Sequence, residues 1–171
     1  LLLGSPLPPQ WQFLPAWVIG VTEKMRINQG EKGGVKEGMV VVSENILVGR
    51  VVSVGDESSL VRMPTTINAK MAVVVKQPGQ NFDPKRAGVQ ARGLLTSAAG
   101  NKLILDRVLQ EEDIQKGDLV VTAGEQSWPA NLLIGQIDEV LPKTAAIYQK
   151  ARVKPLLDYQ SLKVVFVIVQ E

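Results

Sequence analysis

The strongest constraint on this chain is an internal repeat at about half of its length. Segment 24–54 reads KMRINQGEKGGVKEGMVVVSENILVGRVVSV, and segment 102–140 reads KLILDRVLQEEDIQKGDLVVTAGEQSWPANLLIGQIDEV. Self-similarity of this kind predicts two copies of one structural unit. The matched positions in the two copies are Val35 and Ile114, Gly38 and Gly117, Val41 and Val120, Gly49 and Gly135, and Val54 and Val140.

The residues around these positions have the composition of β-strands. Val is the most frequent residue, and Val-rich segments of four to eight residues end at Gly, Pro, Asn or Asp. Short β-branched segments separated by turn residues predict an all-β fold of the sandwich or barrel type. We predict strands at 17–22, 24–28, 39–43, 47–54, 59–63, 69–76, 90–96, 102–108, 119–123, 133–140, 149–154 and 163–169.

The glycines of the repeat have predicted structural roles. Gly38 and Gly117 close a tight turn that requires a positive φ. Gly49 and Gly135 lie within a strand, where a glycine permits a bulge or the close approach of a neighbouring strand. After Gly124, the second copy has seven additional residues, and loop additions often carry binding functions.

The repeat also predicts the domain organisation. We expect two small six-stranded β-barrels in tandem, over 17–84 and 85–171, joined near the turn-rich segment 77–88. Residues 1–16 contain four prolines and are interpreted as a linker, because such a segment favours extended, stiff backbone. Without an initiating Met or a cationic region before its apolar residues, this segment is not expected to be a signal peptide. The alternative is one continuous β-sandwich.

The residue inventory excludes several kinds of catalysis. The chain has no Cys and no His, so it has no Ser-His-Asp triad, no Cys nucleophile, no Cys or His metal ligand and no disulfide. The densest acidic cluster contains Asp106, Glu111, Glu112 and Asp113 and is interpreted as a solvated loop. We therefore predict no catalytic residue, no metal site and no cofactor. The net charge of +2, with scattered Lys and Arg, argues against nucleic-acid binding.

Aromatic residues near loops are the candidate partner-binding positions. Trp11, Phe13 and Trp17 lie in or beside the Pro-rich segment and either pack that segment or anchor a partner, and Trp17 is the candidate contact among them. Trp128 lies in the added loop, where it either closes the end of its own barrel or contacts a partner. Pro129 and Leu132 accompany Trp128 as candidate contacts.

Three segments, in order, resemble one known family. They are GVKEGMVVVSENILVGRVVSVG at 34–55, SSLVRM at 58–63 and QKGDLVVTAGEQSWPANLLIGQIDEV at 115–140. Over 18–169 the chain is similar to the extracytoplasmic part of the MreC family of bacterial rod shape-determining proteins. Where many members have Phe-Pro-x-Gly-Leu, this chain has Trp-Pro-Ala-Asn-Leu at 128–132, and Asn is a residue that tolerates positive φ.

The resemblance implies both an architecture and a function. Family members have a cytoplasmic tail, one membrane helix, a coiled coil and two six-stranded barrels outside the inner membrane. The implied function is a non-enzymatic scaffold of the cell-elongation machinery at the periplasmic face, with the membrane anchor outside this fragment. The implied partners are a class B penicillin-binding protein, MreD, actin-like MreB through the absent N-terminal part, and further copies in a dimer or filament.

Two hypotheses extend this interpretation. Open barrel edges would allow the chain to self-associate edge to edge. The rival class is a periplasmic adaptor of an efflux system, which also combines a coiled coil with small β-domains. Such adaptors usually carry half of a lipoyl-like motif on each side of the coil, whereas both repeats here follow the Pro-rich segment.

Overall fold

The structure, a computed structural model, describes residues 11–79, 83–86, 91–98, 100, 102–124 and 128–170. Twelve β-strands and three short 3-10 helices make up its regular structure, so the all-β prediction is confirmed. The strands are β1 (Gln12–Val21), β2 (Met25–Ile27), β3 (Val40–Ser43), β4 (Ile46–Val54), β5 (Ser59–Arg62), β6 (Lys70–Lys76), β7 (Ala91–Ala98), β8 (Lys102–Leu109), β9 (Leu119–Ala123), β10 (Ala130–Val140), β11 (Tyr148–Pro155) and β12 (Val164–Gln170). The 3-10 helices are Glu31–Gly33, Pro84–Arg86 and Tyr159–Ser161.

The strand pairings form two closed rings of six strands. In one ring, the order is β4-β3-β12-β1-β2-β5, and β5 pairs back with β4. In the other, the order is β11-β8-β7-β6-β9-β10, and β10 pairs back with β11. We call these rings the first barrel and the second barrel. Because each described strand has a neighbour on both sides, the expectation of an open edge for edge-to-edge self-association is wrong.

The two repeats exchange their last strands. The first half of the chain, which contains the first repeat, supplies β1 to β6, yet β6 pairs with β7 and β9 in the second barrel. The second half, which contains the second repeat, supplies β7 to β12, yet β12 pairs with β1 and β3 in the first barrel. The predicted domains, 17–84 and 85–171, therefore follow the repeats but do not match the barrels. Since β6 and β12 occupy equivalent places in the two rings, a local sequence pattern does not distinguish which ring each strand completes.

The predicted linker 1–16 overlaps the first strand. Residues 1–10 lie outside the described part of the chain, but β1 begins at Gln12. Pro15 lies opposite Phe166 of β12, and Ala16 is buried in the core of the first barrel. The strand therefore begins five residues before its predicted start, because pairing with a strand more than 140 residues later stabilises a Pro-containing segment.

Equivalent hydrogen bonds mark the repeat in three dimensions. The N–H of Gly38 donates to the carbonyl oxygen of Val51 at 2.8 Å, and the N–H of Gly117 donates to that of Ile137 at 2.8 Å. The φ angles are 90° at Gly38 and 95° at Gly117, in the left-handed region that favours glycine. The same turn therefore leads into β3 and β9. Gly124, after β9, has a φ of 79°.

A second pair of glycines permits close strand packing. A Cβ at Gly49 would overlap the carbonyl oxygen of Arg62 and lie 2.8 Å from Val61 Cγ1 on β5. A Cβ at Gly135 would lie 2.6 Å from both the Lys154 carbonyl oxygen and Val153 Cγ1 on β11. In both barrels the ring thus closes over a strand position where a side chain has no room.

The barrels also pack against each other. Val40, Val42, Leu47 and Ile168 of the first barrel belong to the same buried cluster as the core of the second barrel. Ile46 of β4 lies opposite Leu133 of β10 in a short parallel pairing. Backbone pairing and a shared apolar core therefore hold the two barrels together.

Candidate functional site

A cleft that contains Trp128 lies beside the junction of the barrels. It has a volume of about 230 Å³. The first barrel contributes Arg50, Arg62 and Met63, and the second contributes Lys70, Met71 and Leu95. The methionines and the leucine are buried, whereas Arg62 and Lys70 are exposed. The cleft therefore combines an apolar lining with cationic side chains.

Trp128 stacks on an arginine of the other barrel. The guanidinium carbon of Arg50 lies 3.8 Å from the centre of the Trp128 ring, a cation–π geometry. Burial lowers the pKa of the Arg50 guanidinium from its ordinary value, and the electron-rich ring face offsets part of the cost of that burial. Trp128 is half-buried and packs against the core cluster of the second barrel. It thus bridges the two barrels and keeps part of its ring at the surface.

The two predicted neighbours of Trp128 differ in accessibility. Pro129 is half-buried, and its carbonyl oxygen accepts a hydrogen bond from the Thr122 hydroxyl. Leu132 is 1% exposed and belongs to the core of the second barrel. This corrects the expectation that Leu132 contacts a partner, because a buried side chain offers no surface. In the sequence Leu132 follows the added loop, but in the structure it belongs to β10, and its side chain points into the barrel core.

A second candidate surface lies on the outer side of β1. Phe13, Pro15, Trp17 and Ile19 alternate along this strand and face outward, and Trp17 and Ile19 are 60% and 58% exposed. Phe166 of β12, opposite Pro15, is also exposed. We call these five residues the β1 face. Trp17 was predicted as a candidate partner contact and Phe13 was considered with it, whereas Pro15, Ile19 and Phe166 were not assigned to a surface site.

The β1 face ends in two hollows of different charge. At the Phe13 end, a hollow of about 240 Å³ is lined by Phe13, Val42, Phe166 and Glu44. At the Ile19 end, a hollow of about 470 Å³ is lined by Ile19 and Leu60, with Glu23, Lys24 and Arg26 beside them. The described part of the face therefore has one acidic end and one end with two cations and one carboxylate.

The acidic cluster forms ion pairs with basic residues. Arg86 binds both carboxylate oxygens of Asp118 and also pairs with Asp113 at 2.9 Å. Hydrogen bonding to Asp118 raises the pKa of the Arg86 guanidinium. Asp106 lies 3.9 Å from Lys150. The sequence pointed to Asp118 only as a charged residue at the repeat position that the apolar Met39 occupies in the first copy, and it gave no signal for Arg86 as the partner.

Neither a carboxylate metal site nor a membrane-crossing helix is found in the part of the chain that the structure describes. No three Asp or Glu side chains there come together as a metal site would require. None of the helices that the structure describes has the length and apolar character needed to cross a bilayer.

Comparisons with known proteins identify relatives of this fold. The chain is 33% identical over 131 residues to the cell shape-determining protein MreC of Haemophilus influenzae, covering 72% of this chain and 34% of the relative. It is 28% identical over 149 residues to MreC of Listeria monocytogenes, covering 85% of this chain and 48% of the relative. The chain thus spans less than half of the length of these two relatives.

A solved structure and a family model agree with these matches. The crystal structure of MreC from Pseudomonas aeruginosa has a TM-score of 0.76 and 25% identity, covering 92% of this chain and 99% of that one. The family model described as "Rod shape-determining protein MreC, barrel core" matches residues 19–169. Because this match spans both barrels and the exchanged strands, the chain belongs to the MreC family of rod shape-determining proteins.

Proposed function

We propose that this chain is the extracytoplasmic scaffold part of a cell-elongation complex and that it binds a class B penicillin-binding protein without catalysing a reaction. The observation that carries the proposal is family membership, together with a related complex. A solved complex between penicillin-binding protein PBP2 and MreC from Helicobacter pylori contains the same fold, with a TM-score of 0.66 over 95% of this chain at 17% identity. The family assignment favours this function over an efflux adaptor.

The inter-barrel cleft is our proposed contact for the synthase. Trp128 presents part of a large aromatic ring at the junction of the barrels, and Pro129 lies beside it. Partly exposed aromatic residues next to cationic side chains are typical of residues that dominate protein–protein affinity. Because Trp128 is held against Arg50 and the second-barrel core, it loses little conformational freedom when a partner binds.

The remaining assignments follow from the relatives. A related structure is described as the major periplasmic domain of the cell shape-determining filament MreC. We propose the same extracytoplasmic location here, with the membrane anchor in a part of the protein outside this chain. Contacts with MreD and with actin-like MreB are assigned to that other part, and self-association to the barrels.

The test is a binding measurement with the extracytoplasmic part of a class B penicillin-binding protein from the same organism. Immobilised synthase should bind the wild-type chain, and Trp128→Ala should weaken binding by about 30-fold, the effect of losing a dominant interface residue of about 2 kcal/mol. Ile147→Ala is the matched control, because Ile147 is 72% exposed and is not among the residues that line the cleft. Absence of wild-type binding at the highest soluble concentration would contradict the proposed function, and unchanged binding of Trp128→Ala would exclude the cleft.

A further inference from the structure

We propose that the inter-barrel cleft binds an extended acidic segment of its protein partner. An apolar side chain of that segment enters the cleft beside Trp128, and a neighbouring carboxylate binds Arg62 and Lys70. This inference rests on the proposed function, in which the cleft contacts the synthase, and adds the chemistry that the cleft recognises. The proposed function itself requires only a contact at Trp128 and assigns no charge to the partner.

The buried part of the cleft lining is apolar and comes from both barrels. Met63 is 3% exposed and Met71 5% exposed, and Leu95 lies opposite Met71 in the pairing of β6 with β7. Methionine is unbranched and polarisable, so a methionine-lined surface adapts to the shape of the side chain that it receives. With the Trp128 ring as a further lining group, the cleft suits an apolar side chain.

The size of the cleft indicates what kind of molecule enters it. Pockets for drug-sized ligands usually measure about 300 to 1,000 Å³, whereas this cleft measures about 230 Å³. A cleft of this size fits one or two side chains of a peptide better than a whole cofactor. A lipid surface, the other common anionic partner, contacts apolar side chains that protrude, whereas the apolar lining here is recessed.

Three cations converge on this apolar lining. Arg50 of β4 and Arg62 of β5 lie directly opposite each other, and Lys70 is the first residue of β6. Side chains at such opposed positions have Cβ atoms about 4.5 to 5.5 Å apart, and like charges there are destabilising. The described residues that line the cleft include no carboxylate. An anion that binds at this position therefore relieves repulsion between the cations.

Arg62 and Lys70 are the two cations that a partner can reach. Both are exposed, and neither forms an ion pair with a carboxylate among the residues that the structure describes. Arg50 differs from them, because it is half-buried and stacked on Trp128. Charges beside apolar walls attract counter-ions more strongly than charges on an open surface. The cleft therefore favours an acidic segment over a neutral or a cationic one.

The outer face of β11 shows how other exposed cations of this chain are placed. Lys150 lies 3.9 Å from Asp106, and Arg152 lies 3.1 Å from Glu139. These cations have carboxylates within their own barrel. For the two exposed cations of the cleft, we assign that role to a carboxylate of the partner.

The first test measures how binding of the extracytoplasmic part of the synthase depends on the two cations. Arg62→Met and Lys70→Met remove the charge and keep an apolar stem, and each should weaken binding by about tenfold, the effect of losing a hydrogen bond to a charged group. Wild-type affinity should fall as salt is added, and both variants should show a smaller fall. Lys102→Met is the matched control and should bind like the wild type, because Lys102 is also exposed and first in its strand but does not line the cleft.

Trp128→Ala separates the apolar part of the contact from the charged part. This variant should lose affinity and keep the salt dependence of the wild type, because both exposed cations remain. If Trp128→Ala weakens binding while Arg62→Met and Lys70→Met leave affinity and salt dependence unchanged, the acidic segment is overturned and the proposed function stands. Circular dichroism of each variant shows whether the fold is retained.

The second test needs no synthase and therefore separates the two proposals in the other direction. The probe is the capped peptide Glu-Glu-Phe-Glu-Glu, which carries carboxylates on both sides of one apolar residue. At millimolar concentration it should shift the indole N–H signal of Trp128 in a proton–nitrogen NMR spectrum, with the signal assigned from Trp128→Phe. The shift should be much smaller with Gln-Gln-Phe-Gln-Gln, with Glu-Glu-Ala-Glu-Glu, and in the double variant Arg62→Met with Lys70→Met.

Each outcome of the peptide test decides one part of the proposal. Equal shifts with the Gln peptide would overturn the need for a carboxylate, and equal shifts with the Ala peptide would overturn the apolar anchor. Binding of anionic vesicles that is lost in Arg62→Met would assign the cleft to a membrane and overturn the peptide segment. Peptide binding as expected, without any binding of the synthase, would support the recognition chemistry and contradict the proposed function.

Discussion

Removal of one partner from the ion pair between Arg86 and Asp118 should strongly destabilise the second barrel. Arg86 Nη1 lies 3.1 Å from Asp118 Oδ1, and Nη2 lies 2.5 Å from Oδ2. The Asp118 side chain is 3% exposed and the Arg86 side chain 12% exposed. Asp118 also accepts a hydrogen bond from the N–H of Gln115 at 2.9 Å, which holds the turn before β9. Removal of Arg86 therefore leaves a buried carboxylate with one backbone donor.

We predict that Arg86→Met lowers the free energy of unfolding by about 3 to 5 kcal/mol, the usual cost of removing one partner from a buried ion pair. For a chain of this size the melting temperature should fall by roughly 6 to 20 °C, at about 2 to 4 °C per kcal/mol. The double variant Arg86→Met with Asp118→Met should recover most of the loss, because buried pairs are often replaced by apolar residues at little cost.

The first barrel supports the expected recovery, since it has an apolar residue at the same position. Met39 occupies the place of Asp118, and the N–H of Lys36 approaches the Met39 sulfur at 3.3 Å, as the N–H of Gln115 approaches Asp118. The turn therefore forms without a carboxylate. The ion pair is a feature of the second copy that ties the Pro84–Arg86 helix to this turn.

Urea unfolding followed by circular dichroism gives the four free energies of the double-mutant cycle. Lys150→Met is the matched control, because its pair with Asp106 is longer, at 3.9 Å, and exposed, and such pairs contribute about 0 to 1 kcal/mol. A loss below about 1 kcal/mol in Arg86→Met would refute the assignment of Asp118 as a buried charge that needs its partner. A double variant as unstable as the single one would refute the analogy with Met39.

Three further predictions address the exchanged strands, the strand glycines and the cleft. Residues 17–84 alone should lack a cooperative thermal transition in circular dichroism, because this segment contains β6 without its ring and lacks β12; a sharp transition would contradict the strand exchange. Gly49→Ala should lower the free energy of unfolding by about 1 to 3 kcal/mol, as overpacking does, whereas Gly20→Ala, with nothing within 4 Å of the added Cβ, should change it much less in the same urea titration. Trp128→Ala should cost about 0.5 to 2 kcal/mol from the lost stacking on Arg50, in addition to lost apolar burial, and an unchanged urea midpoint would argue against that stacking.

The strands themselves were largely predictable from local pattern. The predicted strand 119–123 has the same bounds as β9, and the predicted and observed starts of β8 coincide at Lys102. Val-rich segments bounded by turn residues define these strands within a few residues, so local information was sufficient. β1 is the exception, because its first five residues pair with β12 and so depend on a distant part of the chain.

The candidate sites were predictable only in part. The added loop of the second copy pointed to Trp128, but the stacking on Arg50 joins residues 78 positions apart in different barrels. Trp17 and Phe13 were considered as partner contacts, but the β1 face was not predicted as one continuous surface, because the Pro-rich composition indicated a linker. The continuous apolar run from Phe13 to Ile19 was the available signal, since it leaves no polar side for solvent.

The sequence is sufficient for the all-β class, the twofold repeat, the glycine turns and the MreC family, because each depends on short-range periodicity or on residue identity at fixed spacing. The folded chain is needed to show that β6 and β12 are exchanged between the rings, that Leu132 is buried, and that Arg86 reaches Asp118. These outcomes depend on contacts between distant residues, and two equivalent ring positions offer the same local pairing to either strand. The choice between them is made by the packing of the whole chain.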